Sequence, residues 1–177
     1  MAERESLQDQ ADEAVWIAAY DPGWPIRFEE ERSLLQQAIG RFVTGGIHHV
    51  GSTAVPGLDA KPVIDILAGV ADLQAARPCI DILAPLNYGY APYRPEEMLW
   101  FCKPHPSRRT HHLHIVPAQS ARYRDELRFR DYLRTHPAAS ADYARLKRRL
   151  AAQFRSDREA YTDAKTRFVQ DVLREAG

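Results

Sequence analysis

Apolar residues change their period several times along the chain, and each change marks an element. Residues 15–19 form a short apolar run, taken as a strand, and Tyr20-Asp21-Pro22-Gly23-Trp24-Pro25 forces a turn after it. Pro25 or Ile26 opens a helix through Ile39, with Phe28, Leu34 or Leu35, and Ala38 or Ile39 on one face and Gly40 at its end. Residues 47–50 read as a strand that runs into Gly51-Ser52, and 63–67 as an almost wholly apolar strand with one acid, Asp65, inside it. Asp72 caps a helix to about Leu83, since Leu73, Ala76, Ile80 and Leu83 keep helical spacing. Strands follow at 87–93 and 98–103, joined by a turn at Arg94-Pro95-Glu96. After a loop at 104–109 comes another strand at 110–116, ended by Pro117.

Beyond Ala118 the period is helical. Tyr123, Leu127 and Tyr132 or Leu133 make one stripe, closed by His136-Pro137. Ser140 is placed as the cap of a helix carrying Tyr143, Leu146, Leu150 and Phe154. Ser156 or Asp157 starts a last one with Tyr161, Ala164, Phe168 and Val172. The order β-α-β-β-α-β-β-β and then three helices predicts an α+β fold, a mixed β-sheet with packed helices, and not a doubly wound one. The expected division is a flexible acidic tail over 1–14 and one domain over 15–177. That domain has a sheet core to about 117 and a helical part from 118.

Composition narrows the function classes. The 177 residues are 45% hydrophobic and 27% charged, ordinary values for a globular protein. Formal net charge is zero, so no global field favours nucleic acid or an anionic membrane. Residues 121–177 nevertheless carry 14 Lys/Arg against nine Asp/Glu, a net of +5. Only Cys79 and Cys102 are present, too few for a disulfide framework, and no apolar run reaches membrane-spanning length. The expected setting is cytoplasmic.

Three constellations carry chemistry. At Gly51-Ser52-Thr53 the missing Cβ of glycine lets backbone N–H groups approach an anion. Asp65, in the next apolar strand, costs several kcal/mol to bury unpaired and should meet a metal ion, a cation or a hydrogen-bond donor. In His112-x-His114 the period of two sets both rings on one strand face, about 7 Å apart along it. If that strand neighbours the one bearing Asp65, two histidines and a carboxylate form a set able to hold a divalent cation such as Zn²⁺ or Mn²⁺. The alternative is structural, with the rings bonded to backbone and acids in a half-buried sheet. His111 points the other way, and His48 and His49 split between faces. The basic set is Lys61, Lys103, Arg128, Arg130, Lys147 and Lys165. Lys61 borders the loop, only one of Arg128 and Arg130 can face a site, and Lys165 sits where lysines commonly snorkel to the surface.

The stretches 49–58 (His-Val-Gly-Ser-Thr-Ala-Val-Pro-Gly-Leu) and 61–66 (Lys-Pro-Val-Ile-Asp-Ile) closely resemble the GrpB family. So do 110–116, 127–134, His136-Pro137, Tyr143, Leu146-Lys147 and 157–161, a match from about residue 16 onward. That family is grouped with the polymerase-β-like nucleotidyltransferases, and a related domain occurs fused behind dephospho-CoA kinase. The resemblance implies a nucleotidyltransferase-like core and a nucleotide or other phosphorylated metabolite as ligand. By the same resemblance Gly51, Ser52 and Thr53 hold phosphate, Lys61 neutralises it, and Arg128 or Arg130 contacts the ligand. Asp65 falls at the second acid of the superfamily's Asp-x-Asp pair, as catalytic residue and metal ligand, and Val63 stands at the first. His112 or His114 takes the place of the third acid, completing a site for Mg²⁺, Mn²⁺ or Zn²⁺. The reading is a transferase moving a nucleotidyl group, or else a sensor that binds the same ligand without turnover.

Overall fold

Strand β2 (Ile64–Val70) is apolar except at Asp65, and such a run is stable only where both its faces and both its edges are covered. It takes the inner position between β1 (Val43–Val50) and β5 (Arg108–Pro117), antiparallel to the first and parallel to the second. Beyond β5 lie β4 (Leu99–His105) and the short β3 (Gly89–Tyr90), both antiparallel, so the sheet order is β1-β2-β5-β4-β3. The architecture is α+β with a mixed five-stranded sheet. The computed structural model describes residues 14–105 and 107–177. The acidic tail expected over 1–14 therefore lies, except for Ala14, outside the described residues.

One face of the sheet meets α1 (Gly23–Ile39) and the paired short helices α2 (Leu73–Ala76) and α3 (Cys79–Leu83). Ile64, Ile66, Ala68, Leu113, Ile115, Leu99 and Phe101 pack there against Trp24, Phe28, Leu35, Ile39 and Leu83. Ile66 is fully buried, worth about 1.5–3 kcal/mol relative to exposure. The opposite face carries Val50, Leu67, Val116 and Trp100 under Tyr123 and Leu127 of α4 (Ala121–Thr135). Gly69 allows that approach, since a Cβ there would stand 2.8 Å from the Tyr123 ring.

The helical part clamps the loop after β1. α5 (Pro137–Gln153), α6 (Arg158–Asp163) and α7 (Thr166–Glu175) follow α4. Val55 and Leu58 of the loop pack on Leu133, Tyr143 and Phe168, one each from α4, α5 and α7. Side chains then hold the loop's carbonyls: Arg134 Nε donates to Ala54 at 2.9 Å and Lys147 Nζ to Asp59 at 2.6 Å. No helix among the described residues is long and apolar enough to cross a membrane.

Several elements differ from expectation for identifiable reasons. The run at 15–19 is no strand: it contributes one bridge, Ala18 to Ala60. The helix expected from Asp72 to Leu83 keeps its cap, with Ala75 N–H on Asp72 Oδ1 at 2.8 Å, but breaks before Pro78, which has no N–H to continue it. β3 is cut to two residues because Pro92 cannot donate to the ladder. The β4–β5 turn is tighter than the 104–109 loop foreseen, the strands pairing as far as His105 and Arg108. Ser140 caps nothing: α5 opens at Pro137, whose fixed φ suits a first helical position. The last helix is two, α6 capped by Asp157 and α7 after a turn at Ala164-Lys165. Neither residue disfavours helix, so packing sets that break.

His49 shows how tightly the first face is closed. Its ring stacks on Phe28 at 4.8 Å and its Nε2 meets Thr53 Oγ1 at 2.9 Å, while that hydroxyl donates to the Val63 carbonyl. The ring is 6% exposed, and burial lowers its pKa to about 4, against a weaker upward pull from Asp65. The unfolded chain takes up this proton near pH 6.5, the folded chain only near pH 4. Stability from this group is thus complete above pH 6.5 and is lost as pH falls toward 4, by about 3 kcal/mol. In urea denaturation across that window, His49→Gln is expected to lose correspondingly less than the wild-type chain. Parallel pH profiles for the two proteins would show that His49 is not held neutral.

Candidate functional site

Parallel pairing of β2 with β5 sets Asp65 directly beside His112 and Leu67 beside His114. Asp65, His112 and His114 therefore project from one face, the one under α4. One candidate ligand atom from each of the three lies within 4.8 Å of the others. His112 Nδ1 and Asp65 Oδ1 are 3.0 Å apart, and α4 supplies Glu126, whose Oε1 is 3.4 Å from His114 Nδ1. Arg122 Nε in turn lies 3.1 Å from Glu126. The Asp65 side chain keeps 30% of its surface accessible, against 17% for His112, so the cluster lines a recess and is not sealed.

Electrostatics fixes the protonation pattern. Burial pushes the Asp65 carboxyl up, but the His112 hydrogen bond, the charges of both histidines and Lys165 outweigh it and hold the group below its ordinary range. Burial lowers His112, against the pull of Asp65; for His114 burial is overcome by Glu126, and its pKa rises. An ionised Asp65 can only accept, so the neutral His112 ring carries its proton on Nδ1 and leaves Nε2 bare. That Nε2 is buried and has no hydrogen-bond partner among the described residues. One carboxylate and two imidazoles that come within 4.8 Å of one another are a donor set suited to a divalent cation, which would displace the protons on the ring nitrogens it takes.

The chain turns over this carboxylate at Gly51. Val50, the last residue of β1, pairs with Asp65, and Gly51 follows with φ of +69°. A Cβ at Gly51 would stand 2.5 Å from Asp65 Oδ2, so only glycine fits. Ser52 hydrogen-bonds the Tyr143 side chain at the rim. Thr53 faces away, its hydroxyl engaged by His49 and Val63. The charge of Lys61 reaches His112.

Two lysines from the helical part complete the recess. Lys147 lies over the Tyr143 ring at 4.8 Å and Lys165 over Tyr161 at 4.2 Å. Burial lowers Lys147 to about 7 and Lys165 to about 8, while the Asp65 charge acts upward on both. Among the described residues neither amine pairs with a carboxylate. Lys165, and Lys147 where it holds its proton, bring positive charge to the Asp65 side of the helical part, which favours an anion there.

Arg128 and Arg130 are not brought to this place. Arg130 donates to the His49 carbonyl at 3.1 Å and lines a separate cavity of about 360 Å³ with Phe28 and Arg134. Arg128 turns to the Leu173 carbonyl at the end of α7. The sequence reading put Lys147 and Lys165 in the basic set but assigned the ligand contact to these arginines; it read Tyr143 and Tyr161 only as stripe residues and did not single out Glu126. A signal was present: each lysine follows a tyrosine of an apolar stripe by four residues, which within α5 sets Lys147 on the Tyr143 face, while Lys165, in the turn just after α6, folds back over Tyr161. His111 does face the other side, 3.9 Å from the buried Glu31 that Lys103 and Tyr88 also bond.

Known proteins share this arrangement of elements. A family model described as GrpB protein matches residues 14–175. A UPF0157 protein of Pseudomonas aeruginosa is 40% identical over 168 residues, 92% of this chain and 67% of that protein. A glutamate-rich protein GrpB of Alkalihalophilus pseudofirmus is 34% identical, covering 91% of this chain and 95% of its own. A dephospho-CoA kinase of Mycolicibacterium paratuberculosis is 29% identical over 97% of this chain, which spans 48% of that enzyme. Among solved structures, the conserved protein GrpB from Enterococcus faecalis superposes with a TM-score of 0.82 at 31% identity, over 91% of this chain and 96% of that one. With a matched region that runs almost from end to end and a solved relative of the same fold, the chain belongs to the GrpB family.

Proposed function

We propose that the protein binds a nucleoside triphosphate or a related phosphorylated metabolite in the Asp65 recess and transfers its nucleotidyl group to an acceptor hydroxyl. The observation that carries this reading is the three-residue donor set at Asp65 together with the buried Lys147 and the half-buried Lys165, which feel the Asp65 charge and pair with no carboxylate among the described residues. Lys147 and Lys165 balance phosphate charge, while Lys61 and the Gly51–Ser52 turn border the phosphates from the loop. Asp65, His112 and His114 would hold a divalent cation, whose chemistry when bound is stabilisation of charge on the phosphoryl oxygens. In the transfer the acceptor oxygen bonds to the α-phosphorus, the bond from that phosphorus to the bridging oxygen breaks, pyrophosphate leaves, and the hydroxyl proton passes to solvent. The match to part of a dephospho-CoA kinase is in keeping with a phosphorylated ligand.

One observation favours a second reading, a sensor that binds without turnover. Val63, two residues before Asp65, is 4% exposed and apolar, so this strand offers one acid, Asp65, where an Asp-x-Asp pair would serve two cations. Purified protein given nucleotides with Mg²⁺ or Mn²⁺ separates the two. Pyrophosphate release that vanishes in Asp65→Ala is the expected result, and tight binding without release would establish the sensor.

Lys165→Met is expected to lower affinity for a phosphorylated ligand at least about tenfold, the effect of losing one charge-assisted hydrogen bond, with little change in melting temperature. Unchanged affinity by calorimetry would remove Lys165 from the site. His114→Ala is expected to lower the bound transition metal measured by elemental analysis, and equal metal content in both proteins would leave the histidines structural.

A further inference from the structure

The site face carries one large aromatic that phosphate binding leaves unused. Trp100 on β4 is paired in register with His114, so its side chain stands on the same face as the donor set. Its ring lies 5.2 Å from that of His112, inclined at 51°, and the Arg109 guanidinium lies over it at 5.4 Å. Part of the indole packs on the cluster of Val50, Leu67, Met98 and Val116, and the side chain as a whole is only half-buried. A smaller apolar residue would fill that cluster without placing a polar N–H and a broad π-face beside a cationic recess.

We propose that Trp100 is the stacking platform for the base of a nucleotide whose phosphates lie in the Asp65 recess, an inference that rests on the phosphate reading above. It narrows the ligand from phosphorylated metabolites in general to nucleotides. β5 alone separates β2 from β4, and Trp100 is level with His114 where Asp65 is level with His112, so the two stand two strand spacings across and two residues along, about 12 Å apart. That interval suits a base at one end and phosphates beyond the ribose at the other. Arg109 already occupies the indole at stacking distance, and a planar base can lie beside or beneath the guanidinium, gaining a cation–π contribution. Stacking uses the π-face that every base has, so this subsite recognises the nucleotide class and is tolerant of base identity.

The test compares ATP with inorganic tripolyphosphate, each with Mg²⁺, on wild-type, Trp100→Ala and Trp100→Phe proteins by calorimetry. Wild type should bind both. Trp100→Ala should weaken ATP about tenfold or more and leave tripolyphosphate unchanged, and Trp100→Phe should recover most of the loss. Equal weakening of both ligands would make Trp100 a buttress of the recess, and no change for either would remove it from the site. Each result overturns the base platform while the phosphate reading stands. Failure of both ligands to bind wild type overturns the two together. If Trp100→Ala does not fold, fluorescence decides. In a Trp16→Phe background the emitters are Trp100 and Trp24, which is 2% exposed. Quenching by ATP and not by tripolyphosphate supports the platform, and equal response to both refutes it.

Discussion

A single ionised carboxylate below the surface of the sheet constrains almost everything around it. Leaving Asp65 unpaired in an apolar strand costs several kcal/mol, and the fold answers from three directions. The neighbouring strand gives a hydrogen bond from His112, the turn above gives room because residue 51 lacks a Cβ, and the helical part gives the charge of Lys165. These compensations come from segments far apart in the chain, so the carboxylate is a point at which sheet, loop and helices must agree. The same three directions define the walls of the recess, so the residues that satisfy this carboxylate are also those that would face the proposed ligand.

The strands were legible because their chemistry is local. Alternation at 110–116, the apolar run around Asp65 and the cap at Asp72 each depend on a few adjacent residues, and each appears where the sequence places it. The pair of histidines two apart could be assigned to one face for the same reason. Helix boundaries were harder. Pro78 sits inside an otherwise regular stripe, and the stripe alone does not reveal the break it makes. The turn at Ala164-Lys165 has no local cause at all, since both residues favour helix.

Basic residues were the least legible, and the reason is physical. Arginine and lysine have long stems that reach several neighbours, so composition says that cations are near without saying where their ends go. Arg130, which the family resemblance suggested as a ligand contact, instead grips the free edge of β1, while Lys147 and Lys165 turn inward over tyrosine rings. The decision between inward and outward was made by aromatic faces contributed one helical turn earlier, a pairing visible only when charge and stripe are considered together. The arginines still matter to the recess, because Arg130 and Arg134 fasten the backbone at His49 and Ala54 on either side of the Gly51 turn.

The sheet closes at Pro117, and Lys147 and Lys165 belong to segments that leave the ribosome after it. During synthesis, the strands that carry Asp65, His112 and His114 are complete, with Lys61 beside them, before either of these two amines is made. A growing chain in that state has the electrostatics of a bare cation site. Under the proposed function, any preference for an anion waits until α5 and the turn after α6 dock on the sheet, so the two sides of the site are made in order.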